Sequence, residues 1–166
     1  MPKIESDLTV TQSVLDRLID TEPNLAADPP ETRAQSVRRL KASLKRDLEW
    51  LLNTRKNPDE IPESLKEVYH SVYNFGLPDF SHMSMGAVRD RNRLLRAMET
   101  VLKIFEPRLA DVKVNLVDAP TATNRQIRFQ IDGLLKMDPA PEHVSFDTVL
   151  ELTTSEYQVK GESSAR

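Results

Sequence analysis

Phe105-Glu106-Pro107-Arg108-Leu109 divides the chain into a half that reads with a helical period and a half that reads with a period of two. Proline at 107 has no N–H to give and disfavours the α region for the residue before it, so the helix arriving from Ser84 stops by Phe105 and Glu106 is extended. In an extended run residues 106 and 108 point the same way. A carboxylate at a helix C-terminus faces the negative pole of the macrodipole, and Arg108 is the nearest cation to offset it. Two readings follow: a local ion pair at a helix-to-strand corner, or a rigid charged tooth, Glu106, Pro107 and Arg108, that a partner grips. An exposed pair would be worth about 0–1 kcal/mol. On that basis Arg108→Ala should be nearly silent for folding and costly only for association.

Upstream of the corner, Val88, Leu95, Met98, Val101, Leu102 and Phe105 mark the core face of a helix with Ser84 as its N-cap, and Arg89, Arg93 and Arg96 share another face. These three arginines are a solvated stripe or part of a partner-binding surface next to the 106–108 corner. Earlier still, Val37, Leu40, Leu44, Leu48 and Leu51, widened by Trp50 and Leu52, predict a long helix from Thr32 to about Asn53. Its other face, with Arg38, Arg39, Lys41, Lys45 and Arg46, is solvated or docks an acidic partner. Between the two helices, Ile61-Pro62-Glu63-Ser64 opens a shorter one whose stripe is Leu65, Val68, Tyr69 and Val72, and Gly76 suits the left-handed residue that ends it. Val14, Leu15, Leu18 and Ile19 give two helical turns, too short to hold alone in water, that must dock on this domain or on a neighbour. The proline-bearing stretch from Thr21 to Glu31 reads as a tether.

Downstream, Val112, Val114 and Leu116, then Ile127, Phe129, Ile131 and Leu135, then Val144, Phe146, Thr148, Leu150 and Leu152 alternate as strands do. The fold class expected is α+β, with N-terminal amphipathic helices on one face of a three-stranded antiparallel meander. Residues 1–30 are then a flexible segment with a short docking helix, 31–155 a single domain and 156–166 a polar tail. An open sheet of this kind leaves at least one edge with unpaired backbone groups for another chain to extend.

A net charge of −3 gives no general attraction to nucleic acid. The chain has no cysteine and no run of apolar residues long enough to span a membrane, and no charged-then-apolar leader is visible, so a cytoplasmic protein is expected. His70, His82 and His143 lie in separate segments without metal-ligand spacing, and neither a nucleophile elbow nor a phosphate-binding loop is present. No catalytic residue, metal site or cofactor is expected. A glycosidase would need two carboxylates about 5–9.5 Å apart with one kept protonated. Glu106 has Asp111 or Asp118 as partners on paper, yet an arginine two residues away lowers a carboxyl pKa, the opposite of what a general acid needs.

The order Ser13-Val14-Leu15-Asp16-Arg17-Leu18, Asn53-Thr54-Arg55, Asn74-Phe75-Gly76-Leu77-Pro78-Asp79 and Phe105-Glu106-Pro107-Arg108-Leu109 resembles the TssE family of type VI secretion baseplates, itself similar to the "lysozyme-like" wedge protein of contractile phage tails. Phe75 departs from the pattern, where tyrosine is usual. The resemblance implies a phage-baseplate-wedge-like fold and a non-enzymatic structural subunit that links wedge subunits to the contractile sheath. It implies TssF and TssG as wedge partners, contact with the TssB–TssC sheath and with TssK, a baseplate docked at the inner membrane, and a wedge-assembly role for Glu106, Pro107 and Arg108. The alternatives are a small regulatory adaptor of the same fold and a peptidoglycan-cleaving enzyme.

Overall fold

A Thr32–Gln35 capping box starts the longest helix. The Thr32 hydroxyl accepts the Gln35 N–H at 3.4 Å, and the Gln35 side chain accepts the Thr32 N–H at 2.9 Å, which satisfies two donors that a helix start leaves bare. In the computed structural model, which describes residues 10–19, 23–24, 31–59, 61–62, 64–118 and 126–162, this helix is α2 (Arg33–Asn53), preceded by α1 (Val14–Leu18). It is followed by α3 (Lys66–Tyr69), α4 (Val88–Phe105), β1 (Leu109–Asp118), β2 (Gln126–Leu135), β3 (Glu142–Glu151) and β4 (Glu156–Glu162). Expectations for residues 1–9, most of the proline-bearing tether, the 119–125 connection and 163–166 lie outside the described residues.

The strands form one antiparallel meander in the order β1-β2-β3-β4. The sheet is therefore four-stranded rather than three-stranded, and most of the expected polar tail is β4. Only Tyr157 and Val159 alternate inward there, a signal too short to read alone, but α2 completes it. Asn53 accepts the Tyr157 N–H at 2.8 Å and donates to the Tyr157 carbonyl at 2.9 Å, while Glu49 accepts the Val159 N–H at 2.9 Å. Tertiary hydrogen bonds thus supply the strand with what its sequence lacks.

Leu40, Leu44, Leu48, Leu51 and Leu52 of α2 and Leu94, Met98, Val101 and Leu102 of α4 close over Val112, Val114, Ile127, Phe129, Ile131 and Phe146 of the sheet. Trp50 is 61% exposed and does not widen the α2 stripe, and Val88 likewise points to water, with Leu94 in the core where its place was not expected. Asp111, at φ 52°, makes a bulge in β1 that shifts the register between Ala110 and Lys113. Leu109 and Val112, three apart in sequence, are consequently both buried, which a strict period of two forbids.

The helix expected over 61–75 is reduced to α3 and a 3-10 turn at Val72–Asn74, with Leu65, Tyr69 and Val72 exposed. Ser71 breaks it: its hydroxyl donates to the Val68 carbonyl at 2.8 Å and accepts the Tyr73 N–H at 3.3 Å, a local alternative to the helical ladder. The sheet face that such a stripe would need is already covered by α2 and α4. Gly76 then takes φ +107°, and a Cβ there would sit 2.4 Å from the Thr54 carbonyl oxygen. That approach lets Leu77 N–H reach Thr54 O at 2.8 Å, tying the loop to the end of α2. Ser84 does not cap α4; Ala87 holds that position, and the Asp90 carboxylate reaches back to accept the Ser84 N–H at 3.0 Å.

Candidate functional site

α4 ends at Phe105 as the proline requires, and Glu106 is 4% exposed. Arg108 meets it in a two-pronged pair, Nε to Oε1 at 2.6 Å and Nη2 to Oε2 at 2.7 Å. The same Nη2 donates to Asp47 Oδ2 of α2 at 2.7 Å, and Nη1 lies 3.5 Å from the Ser43 hydroxyl. The hydrogen bonds to Glu106, above all, hold Arg108 as a cation well beyond its ordinary value, against the opposing effect of burial, with Asp47 adding to the rise. Pro107 is the outward residue of the three, and its carbonyl accepts Lys136 Nζ at 2.8 Å.

Glu106 is therefore buried, and Arg108 is half-buried against it. This corrects the premise that Arg108→Ala is silent for folding, because that premise assumed an exposed pair. Glu106 has no free face to offer a partner; the accessible parts of the tooth are Pro107 and one side of Arg108.

Sequence reading missed how far the corner extends. Asp47 Oδ1 accepts Arg46 at 2.8 Å, and Arg46 Nη2 reaches Asp16 of α1 at 2.9 Å. Ser13 caps α1, its hydroxyl accepting the Asp16 N–H and donating to Asp16 Oδ2. Burial pushes the Asp16 carboxyl up, but hydrogen bonds from Ser13 and Arg46 outweigh it and the net shift is downward. Five charges thus alternate in sign from Glu106 to Asp16 across three elements. The signal was there: Ser36, Ser43 and Asp47 recur at helical spacing beside the α2 leucines, and a polar seam along a core stripe asks for polar neighbours. Val10 N–H fills one such place at Ser36 Oγ, 3.0 Å away.

The N-terminal segment docks on its own domain through this seam. Its apolar stripe does not do the docking: Val14, Leu15, Leu18 and Ile19 are 73, 50, 77 and 49% exposed. On the cationic face of α2, Lys41 pairs with Glu142, Arg39 with Glu31 and Arg46 with two aspartates, so much of it is used inside the chain.

Neither Asp111, on the β1 bulge, nor Asp118, 3.8 Å from Arg128, is joined to Glu106 by any described contact. The second carboxylate near Glu106 is Asp47, and a guanidinium lies between the two. His70, His82 and His143 are all exposed, and no group of potential metal ligands occurs among the described residues. Phe75 packs edge-on against Phe105, ring centroids 5.3 Å apart, where a tyrosine would add a hydroxyl.

Arg89, Arg93 and Arg96 are exposed on the outer face of α4 and make no described contact with the corner. Arg96 instead borders a cavity of about 240 Å³ whose wall includes Lys56, Tyr69, Pro78, Ile104 and Phe105.

A chain of a solved structure, the baseplate complex from the type VI secretion system, is similar at 19% sequence identity over 68% of this chain and 94% of that one, with a TM-score of 0.46. No curated protein matches the chain. The family model of baseplate wedge protein gp25 matches residues 38–140, more than half of the chain, a span that holds Asp47, Glu106 and Arg108 together. The chain therefore belongs to the baseplate wedge protein gp25 family.

Proposed function

We propose that the chain is the TssE subunit of a type VI secretion baseplate, a non-catalytic part that joins TssF and TssG, and TssK beside them, to the first ring of the TssB–TssC sheath. The observation that carries this reading is the family match over 38–140, which spans both sides of the buried corner. Arg108 donates to both Glu106 and Asp47 and fills the space between them, where a glycosidase keeps its two carboxylates apart across an open cleft for the sugar. The corner fits a part whose work is to hold a shape. Among the described residues no helix is long and apolar enough to cross a membrane, which suits a wedge assembled on the cytoplasmic side of an inner-membrane complex.

Sheath contact is assigned to the β1 edge. Successive outward N–H groups on the β4 edge are taken by Asn53 and Glu49, while on β1, among the described residues, Glu99 takes the Val114 N–H alone, at 3.0 Å. By strand alternation the N–H of Leu116 faces the same way as that of Val114, beside exposed Val117. A sheath strand pairing there gains main-chain hydrogen bonds with little demand on sequence. Copurification of the tagged chain with TssF and TssG tests the wedge reading, and retrieval of none of the baseplate subunits would sink it. Leu116→Pro, in a form that still folds, should lose sheath nucleation; normal sheaths on a folded variant would remove the β1 assignment.

A further inference from the structure

Along the outer face of α4, Arg89, Arg93, Arg96 and Lys103 are exposed at spacings of four, three and seven, a single row on a helix. None of the four side chains makes a hydrogen bond or ion pair among the described residues, although the Arg96 carbonyl accepts the Thr100 hydroxyl at 2.8 Å. The acidic neighbours that could dilute the row are turned elsewhere: Asp90 holds the Ser84 N–H and Glu99 holds the Val114 N–H. In a chain of net charge −3, this leaves a stripe of one sign roughly 20 Å long at 1.5 Å per residue. Beside its C-terminal half opens the cavity between α4 and the 74–78 loop, with Lys56 and Arg96 at its border and Pro78, Ile104 and Phe105 as apolar wall. At about 240 Å³ it is smaller than the ~300–1,000 Å³ of small-molecule sites and suits one or two side chains.

We infer that this face binds an acidic amphipathic segment of a partner protein, one apolar side chain entering the cavity while flanking carboxylates lie along the cation row. The apolar wall decides between anionic partners. A phosphate backbone would use the row and gain nothing from the cavity, whereas an apolar side chain set among carboxylates uses both. The inference rests on the reading that this chain works by binding proteins, and it names the partner's chemistry at one surface.

The test uses the full chain and a fluorescein-labelled Glu-rich peptide with a central Leu-Phe pair, followed by anisotropy. The controls are the same peptide with Ser-Ser in place of the pair, its Lys-for-Glu counterpart and a single-stranded DNA oligonucleotide. Arg93→Glu/Arg96→Glu should weaken binding by on the order of tenfold or more. Thr100→Trp, which fills the cavity mouth from an exposed position, should reduce the Leu-Phe peptide to the level of the Ser-Ser peptide. Absence of peptide binding, equal binding of the two acidic peptides, or tighter binding of the oligonucleotide overturns the inference. Copurification with TssF and TssG separates it from the wedge reading. Should the wild-type chain fail to copurify, the wedge reading falls and the peptide result still judges the surface. Should the folded double variant copurify as well as wild type, this surface is not where the baseplate partner binds, and the inference alone falls.

Discussion

Replacing Arg108 by alanine should unfold this protein more easily while leaving its backbone compatible with the fold. The side chain removed makes two hydrogen bonds to Glu106 and one to Asp47, and Glu106 keeps only 6% of its side-chain surface exposed. Water cannot replace the lost partner without opening the corner. Removing one member of a buried pair costs about 3–5 kcal/mol, most of it the penalty of an uncompensated charge. Asp47 is cushioned, because Arg46 remains on its other oxygen. In a chain of this length each kcal/mol lowers Tm by about 2–4 °C, so the expected drop is about 6–20 °C. Calorimetry of the purified variants at neutral pH reads it. Glu106→Gln/Arg108→Met should recover most of the loss, since replacing a buried pair by groups of similar volume is often neutral. If Arg108→Ala melts within about 3 °C of wild type, the shift of a surface pair worth about 0–1 kcal/mol, the corner contributes nothing to folding and the argument from burial is refuted.

Gly76→Ala should destabilise by about 2–3 kcal/mol or more by thermal melting, because φ +107° is strained for alanine and the new Cβ would press on Thr54 O from 2.4 Å; a neutral result would mean the loop moves freely. Thr148→Val should raise stability by about 1–3 kcal/mol, since the Thr148 hydroxyl is buried without a hydrogen-bond partner; lower stability would reveal a bond the hydroxyl makes. For Asp16 the folded pKa is depressed, so its contribution is complete above the unfolded carboxyl value near ~3.9 and disappears as pH falls through the lower folded value. Amide exchange in α1 should accelerate below about pH 4 while α4 stays protected, and simultaneous loss in both helices would contradict a locally held segment.

The alternating half of the chain was legible because burial on a sheet has a period of two and the apolar residues keep it: every inward position expected in β2 is buried. The bulge at Asp111 was not, since a positive φ at an aspartate is a choice made by packing Leu109 and Val112 together. β4 and the failed helix near residue 70 show the same limit from two sides. A weak strand signal succeeded because α2 offered Asn53 and Glu49 to its edge, and a fair helical stripe failed because α2 and α4 already cover the sheet face that Leu65 and Val72 would need. The corner was found by its proline, but its third member was hidden, as nothing local to Glu106 or Arg108 points to a residue some sixty positions earlier.

Asp47, Glu49 and Asn53 lie within two turns of α2 and reach the two opposite edges of the sheet. Asp47 holds the corner from which β1 departs, whereas Glu49 and Asn53 hold β4. One helix therefore fixes both outer strands, and the two strands between them follow by pairing. The contacts are polar and directional, so they set position along the helix axis in a way that leucine packing, which tolerates sliding, does not. The bidentate pair adds the last constraint, because a planar guanidinium gripping both oxygens of Glu106 permits one orientation of the chain leaving α4. An edge strand offered to another protein is useful only if its height and tilt are set beforehand. On this reading the buried charges act on the β1 edge from behind, and a partner senses them through the strand they position.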